Sequence, residues 1–416
     1  MFTFTESVAL FLVLLTLEST ANPGPPRCFI DLVDNPDNVS PLIVDTDYNF
    51  PNPTNLTGVS IHSGQRLYWA CPGGYFSEPG FNVNGQIAHC GGGTFHTGQG
   101  HPILYENVTC TLIDALRPHL TEIHINPGVL CELGTSRPIS IGYSVNHNFV
   151  KVLDACFQTD VNIPLYTKYT LTRWASLIPN HREPPSRYFY AVDIIHADVA
   201  NVYNDINGNL ENLGLENYIN DTFFLTKGSL SSQWEFLYTY QRDATFDLTN
   251  VAPQWNSVGS GNWGAIISGV QTFLELGGIG DEAKVISGTL KVATLTDSSG
   301  SDVELYLLNG KVPVPRWFWK LIYFPELHFG AIFFVYNNIY HEKSQVDAEF
   351  LAEICVNDVL LDVIAGWSLD DIKYDDQTGG FAYACVLNTA QILDPVILKV
   401  VANFLAEVGV QAVNLF

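Results

Sequence analysis

Hydrophobic and polar positions divide the chain into successive regimes. An apolar run from Val8 to Leu17 is followed by the small residues Ser19 and Ala21, the pattern of a secretory signal peptide over residues 1–21. The run is too short to cross a bilayer, so no membrane association is expected. From 22 to 150, short β-like runs such as Arg66–Ala70 and Pro138–Tyr143 alternate with turn signals, among them Pro72-Gly73-Gly74 and Gly91-Gly92-Gly93, which predicts a small β domain. From 151 to 393 strand-like runs (Ser186–Val192, Ala244–Asn250, Gly330–Tyr336) mix with longer segments. Trp263, Ile266, Ile267, Val270 and Phe273 form the apolar stripe of a helix over 262–276. Strands mixed with helices predict an α+β domain. In the last segment, 394–416, Asp394 can cap a helix with Pro395 in its first turn. Val396–Val408 is strongly apolar, which suits either a helix docked on the domain or a self-association surface.

Composition sharpens this picture. Hydrophobic residues at 47% and aromatics at 12% support a large packed core and argue against disorder. All eight cysteines follow the leader, and an even count in a secreted chain reads as a disulfide framework. Cys355 and Cys385, an isolated C-terminal couple, are expected to pair; no Cys-x-x-Cys spacing favours a metal cluster. Sequons at Asn38, Asn55, Asn107 and Asn220 fit a glycosylated extracellular protein. Charge points away from a polyanion ligand: the formal net charge is −24. Affinity for nucleic acid comes mostly from Lys and Arg neutralising phosphates. Still, 13 of the 19 bases fall between Lys151 and Lys343, which leaves room for a local basic groove.

The densest chemistry lies between Thr226 and Ile267. Lys227-Gly228-Ser229 is followed by Glu235-Phe236, then Arg242 with Ala244-Thr245-Phe246. Asn250-Val251-Ala252-Pro253-Gln254-Trp255 and Gly261-Asn262-Trp263 complete the run. This pattern resembles the core of the ββα-metal (His-Me finger) DNA/RNA non-specific endonucleases, and among them the insect secreted double-stranded-RNA nucleases. Ala70–Gly74, Phe149–Cys156 and Val312–Lys320 extend the likeness over most of residues 28–390.

The resemblance implies a ββα-metal fold and Mg²⁺-dependent phosphodiester hydrolysis. Such a site needs a base to activate water and a divalent cation to offset charge on the phosphate. In the family a His after the basic-Gly pair is the base, an Asn holds the ion, and a helix Glu stands behind it. At those positions this chain has Ser229, Gly259 and Ile267. A serine hydroxyl needs an activating partner to accept a proton near neutral pH. Glycine offers no ligand, and Asn262 is only a fallback because the family's own Gly-Asn-Trp accounts for it.

Lys227, Asn250 and Ile267 therefore join Ser229 as candidate catalytic positions, and Lys227, Arg242 and Gln254 are candidate nucleic-acid contacts. The competing expectation pairs Arg242 with Glu235 or Asp243. Arg173, Arg182 and Arg187 are further candidate phosphate contacts. His181, His196, His328 and His341 are expected to be structural, and Arg316–Lys320 to pack in a core. No cofactor is expected, with Mg²⁺ only if nuclease activity persists. Weak nucleic-acid binding and self-association through the C-terminal helix are the expected partnerships. Three readings stay open: a secreted pseudonuclease, an active nuclease with an altered site, and a secreted structural or storage protein.

Overall fold

The computed structural model describes residues 27–32, 40–54, 57–77, 85–98, 102–112, 122–125, 131, 135–175, 195, 197–275, 280–356, 371–387 and 392–409. The leader segment, the sequons at Asn38 and Asn55, the expected strand Ser186–Val192, and His181, Arg182, Arg187 and His196 lie outside the described residues.

Two compact units emerge, Met1–Cys71 with Tyr75–Thr111, and Pro72–Gly74 with Leu112–Phe416. In the first, strands Leu42–Val44, Arg66–Ala70, Gln86–Gly91, Thr94–Thr97 and Pro102–Ile103 form a five-stranded sheet in that order. Trp69 is fully buried against the edges of Phe95 and Tyr105, and Cys28–Cys90 and Cys71–Cys110 staple the unit.

The division at 111/112 departs from the 150/151 boundary expected from composition. Position 150 lies inside the strand Asn148–Gln158, which forms a continuous hairpin with Ser136–Val145 in the sheet of the second unit. The Cys131–Cys156 disulfide also spans that position. The Pro, Gly and Cys content that suggested a longer N-terminal domain therefore belongs partly to the edge of the larger sheet.

That sheet has eight strands: Glu122–Ile125, Ser136–Val145, Asn148–Gln158, Ile163–Thr172, Glu282–Val292, Pro315–Phe324, Phe329–Tyr336 and Ala382–Val386. Every neighbouring pair is antiparallel. Both of its faces are covered, so the central strands Pro315–Phe324 and Phe329–Tyr336 are buried along nearly their whole length. Along Pro315–Phe324, the residues Trp317, Trp319, Leu321 and Tyr323 join one core with helices Lys343–Glu353 and Pro395–Glu407.

The second of those helices begins as expected, with Asp394 accepting from Val396 and Ile397 and Pro395 at its start. Its Ile397, Val400, Val401, Phe404 and Leu405 are buried within the unit, so the stripe proposed for self-association is occupied internally. The expected Cys355–Cys385 pair forms a disulfide, and all eight cysteines are paired. No helix among the described residues is long and apolar enough to cross a membrane.

The opposite face of the sheet carries the motif. Strands Leu225–Ser229 and Val251–Trp255 pair antiparallel, with Lys227 opposite Pro253 and Ser229 opposite Val251. The helix Gly264–Glu275 follows and buries the predicted stripe, with Trp263 on Phe318 and Phe273 on Phe324. The run Ala244–Asn250 is not the predicted strand. Helix Thr239–Ala244 ends there, and Asp247 then caps a tight turn over Leu248–Asn250. Thr245 Oγ1 donates to Arg242 O, and Asp247 Oδ1 accepts from both Thr249 N and Thr249 Oγ1. Short polar side chains here satisfy the local backbone and outcompete a ladder.

Two buried devices lock the motif to the sheet. Asn337 Oδ1 accepts from Trp255 N, while its Nδ2 donates to Pro253 O and Pro315 O. Lys320, fully buried, donates to Glu235 Oε1 at 2.8 Å and to Tyr169 Oη at 2.7 Å. Glu235 also accepts from Tyr169 Oη and from Ser232 N. The run Arg316–Lys320 is thus core packing, and Glu235 pairs with Lys320 rather than with Arg242. Burial lowers the Lys320 pKa, an effect the Glu235 charge opposes, and burial beside Glu235 drives the Tyr169 phenol well up.

Two stability tests follow from these buried groups. Replacing one partner of a buried ion pair strands the other charge, so Lys320→Met is expected to cost about 3–5 kcal/mol in urea denaturation. The double variant Lys320→Met/Glu235→Gln should cost clearly less; equal losses would mean the pair is not coupled. The second test concerns Asp247, whose carboxyl is buried and whose pKa is raised by that burial from 3.8 to about 6. The folded state therefore holds this proton more tightly than the unfolded chain. Its stabilising contribution is complete below the unfolded value and is lost as pH rises through about 6. Asp247→Asn should remove this slope, gaining on the parent by on the order of 1–3 kcal/mol between pH 4 and pH 7. A parallel pH profile for parent and variant would contradict the assignment.

Candidate nucleic-acid groove

The motif opens onto a groove of about 1150 Å³. Lys227, Ser229, Gln254, Gly259, Asn262 and Ile267 all line it, so six of the positions singled out in the sequence share one space. Asn250 and Arg242 do not line it.

The first motif strand approaches the second closely. A Cβ at Gly228 would lie 2.6 Å from Gln254 Cβ, so glycine is needed between Lys227 and Ser229. Lys227 is half-buried, and that burial lowers its pKa. Among the described residues, no titratable side chain hydrogen-bonds the half-buried Ser229 hydroxyl, so nothing there activates it as a base.

Both surviving asparagines are spent on backbone. Asn250 is fully buried; its Oδ1 accepts from Ser231 N, and its Nδ2 donates to Ser231 O and Thr245 O. It fixes the loop after the first strand against the turn before the second. Asn262 is also buried; its Nδ2 donates to Lys373 O and Gly380 O, and its Oδ1 accepts from Lys373 N. The carboxamide of the fallback ligand is thereby committed to clamping a distant loop.

That loop, 371–380, adds Asp371, Lys373 and Asp376 to the groove wall. Asp376 Oδ1 is engaged by Thr378 N, Thr378 Oγ1 and Gly379 N, and these hydrogen bonds hold its carboxyl below the usual range against the burial that would raise it. Gly379 reaches the motif only because Gly261 has no side chain; a Cβ there would lie 2.6 Å from Gly379 Cα. Nothing local in the sequence reveals this contact, since more than a hundred residues separate Asn262 from Lys373.

Gly259 begins a π-turn, Gly259–Trp263, interrupted at Gly261 by a non-helical backbone (φ −89°, ψ −125°). Such wide turns often mark functional sites in helices. A Cβ on Gly259 would lie 2.7 Å from Gln254 Oε1, so the Gln254 carboxamide borders the space a ligand side chain would use. Mg²⁺ takes near-octahedral oxygen ligands. The position the family uses for this supplies no side-chain oxygen here, both asparagine amides are committed, and Ile267, buried, supplies only a hydrocarbon wall. The residues present do not fit the family's ion at that place. Among the described residues, no group of three or more His, Cys, Asp or Glu side chains is placed to hold a metal.

The remaining basic candidates turn inward or elsewhere. Arg242 is buried, donates from Nε to Phe236 O and lies 5.9 Å from the Trp234 ring. Arg173 pairs with Asp281 and covers Trp174. His328 and His341 each sit beside a tyrosine hydroxyl, Tyr323 and Tyr336, away from the groove. Trp234, Gln233 and Gln271 also line the groove, although no motif marked them.

Comparison with known proteins agrees with this architecture. The family profile for DNA/RNA non-specific endonuclease matches residues 135–379. A salivary endonuclease of Lutzomyia longipalpis is 24% identical over 220 residues, 51% of each chain. The salivary protein Tsal1 of Glossina morsitans morsitans is 22% identical over 275 residues, 63% of this chain and 64% of that one. The chain thus spans between half and two thirds of the length of these relatives. A chain from the crystal structure of an EndoG/EndoGI complex is 16% identical, with a TM-score of 0.34 over 45% of this chain and 71% of that one. On the match over residues 135–379, the chain belongs to the DNA/RNA non-specific endonuclease family.

Proposed function

We propose that this protein is a secreted pseudonuclease: it keeps the ββα fold and groove of its family and has lost phosphodiester cleavage. One observation carries the reading. Ser229, Gly259 and Ile267 face the same groove at the positions of the base, the metal ligand and the helix carboxylate. Loss of a general base alone costs about 10²–10⁴-fold, and loss of the ligand acts on the same transition state. Lys227 and Gln254 remain as ligand contacts in a groove that binds without cutting. Asn250 acts as a structural tie, Arg242 supports Trp234, and no resident Mg²⁺ is required.

Secretion is supported by the leader pattern, by four disulfides without a free cysteine and by the salivary naming of both relatives. Exposed Asn107 and Asn220 are the glycosylation positions we favour. We place the mature domains at 22–111 and 112–409.

Incubation of the purified protein with plasmid DNA or RNA in Mg²⁺ should leave the substrate intact at catalytic protein concentrations. Digestion that EDTA abolishes would contradict the proposal. Ser229→His/Gly259→Asn, with Gln254 turned aside to admit the new side chain, should cut at least about 10²-fold faster than its parent. That gain from a silent parent would also dispose of the altered-active-site reading.

A further inference from the structure

We infer that the groove takes a nucleobase, recognised by its flat face and its hydrogen-bonding edge, instead of a phosphate backbone. This rests on the reading of the groove as one that binds without cutting. Charge argues first. The groove sets Lys227 and Lys373 against Asp371 and Asp376, so its ionisable side chains balance. Burial further disfavours the charged form of Lys227. A duplex binder gains affinity by neutralising several phosphates at once, and this wall has no surplus to do so.

The groove also offers an aromatic platform. Trp234 lines the groove, while the buried guanidinium of Arg242 lies 5.9 Å from its ring without lining the groove itself. The ring thus has a cation nearby in the interior and belongs to a residue of the groove wall. Gln271 Nε2 donates to Trp234 O, which anchors the backbone beneath it. Bases stack on such rings whatever their identity, because each has a π face.

Two hydrogen-bonding atoms in the groove wall are unmet. Gln254, only 3% exposed, has an Nε2 donor without an acceptor, and Gln233 has a buried Oε1 without a donor, among the described residues. Both side chains line the groove. Buried polar atoms are rarely left so, which points to a ligand or ordered water between them and solvent. A phosphate, all acceptor, could serve Gln254 but would oppose Gln233. A base edge offers both a donor and an acceptor. The same chemistry is presented by a free nucleoside and by a base splayed from a single strand.

The test is fluorescence anisotropy of a labelled single-stranded oligonucleotide with the full protein in EDTA, with adenosine or inorganic phosphate as competitor. Adenosine should displace the probe and phosphate should not. Between about 50 and 200 mM salt the affinity should change by less than about threefold, where a phosphate-neutralising binder loses about 10³-fold or more. Trp234→Ala should weaken binding about tenfold and Trp234→Phe should keep most of it. Gln254→Ala, checked for an unchanged melting temperature, should also weaken it and guards against a misfolded tryptophan variant. An oligonucleotide much tighter than adenosine identifies a single strand as the source, and equal affinities identify a free nucleoside; both uphold the inference. Competition by phosphate but not adenosine, preference for duplex, no binding, or wild-type binding by both Trp234→Ala and Gln254→Ala would overturn it. Cleavage of the probe when Mg²⁺ is supplied would bring down the non-cleaving reading instead, so the two failures are distinguishable.

Discussion

The buried contact of Lys320 with Glu235 and Tyr169 sets the position of everything the groove contains. Lys320 stands on a central strand, Tyr169 two strands away, and Glu235 in the turn after the first motif strand. All three side chains are out of solvent, so each polar atom must find its partner inside. That requirement fixes the motif on the sheet in one orientation. Lys320 also stacks near Trp263, the residue after the Asn262 clamp, so the same cation reaches both ends of the motif. A buried ion pair contributes little net stability compared with an apolar replacement, and its value here is positional.

From that anchor the groove follows by backbone ties. Asn250 closes the loop between the motif strands, Asn337 holds the second strand, and Asn262 draws in the loop at 371–380. Three carboxamides thus act as cross-links, two of them between segments far apart in sequence. The consequence for chemistry is direct: amides committed to backbone on both sides are poor candidates for a metal. What is left facing the groove is hydroxyl, glutamine amide, tryptophan and a balanced set of charges.

The helix stripe was legible in the sequence from its local repeat, and Ser229, Gly259 and Ile267 could be grouped because they lie within about forty consecutive residues; the motif strands Leu225–Ser229 and Val251–Trp255 were not foreseen. The Asp394 cap and the Cys355–Cys385 pair were legible for the same local reason. The strand expected at Ala244–Asn250 was not real, since Thr245, Asp247 and Asn250 turn their polar side chains onto nearby backbone. Arg242 does not line the groove where a phosphate contact was expected, and it is not the partner of Glu235. Its neighbour in space is Trp234, and the partner of Glu235 is 85 residues further along the chain. The Lys373 loop and the domain boundary were hidden likewise, because long-range pairing leaves no periodic mark on sequence.

The central claim is that the family's ion has no seat in this groove. Its most direct measurement is the anomalous difference density of crystals soaked in Mn²⁺, which scatters strongly and takes the same oxygen ligands. The account predicts no peak within coordination distance of Ser229, Gln254 or the Gly259 turn. A peak there, held by Gln254 Oε1 or by ordered water against the turn, would contradict it.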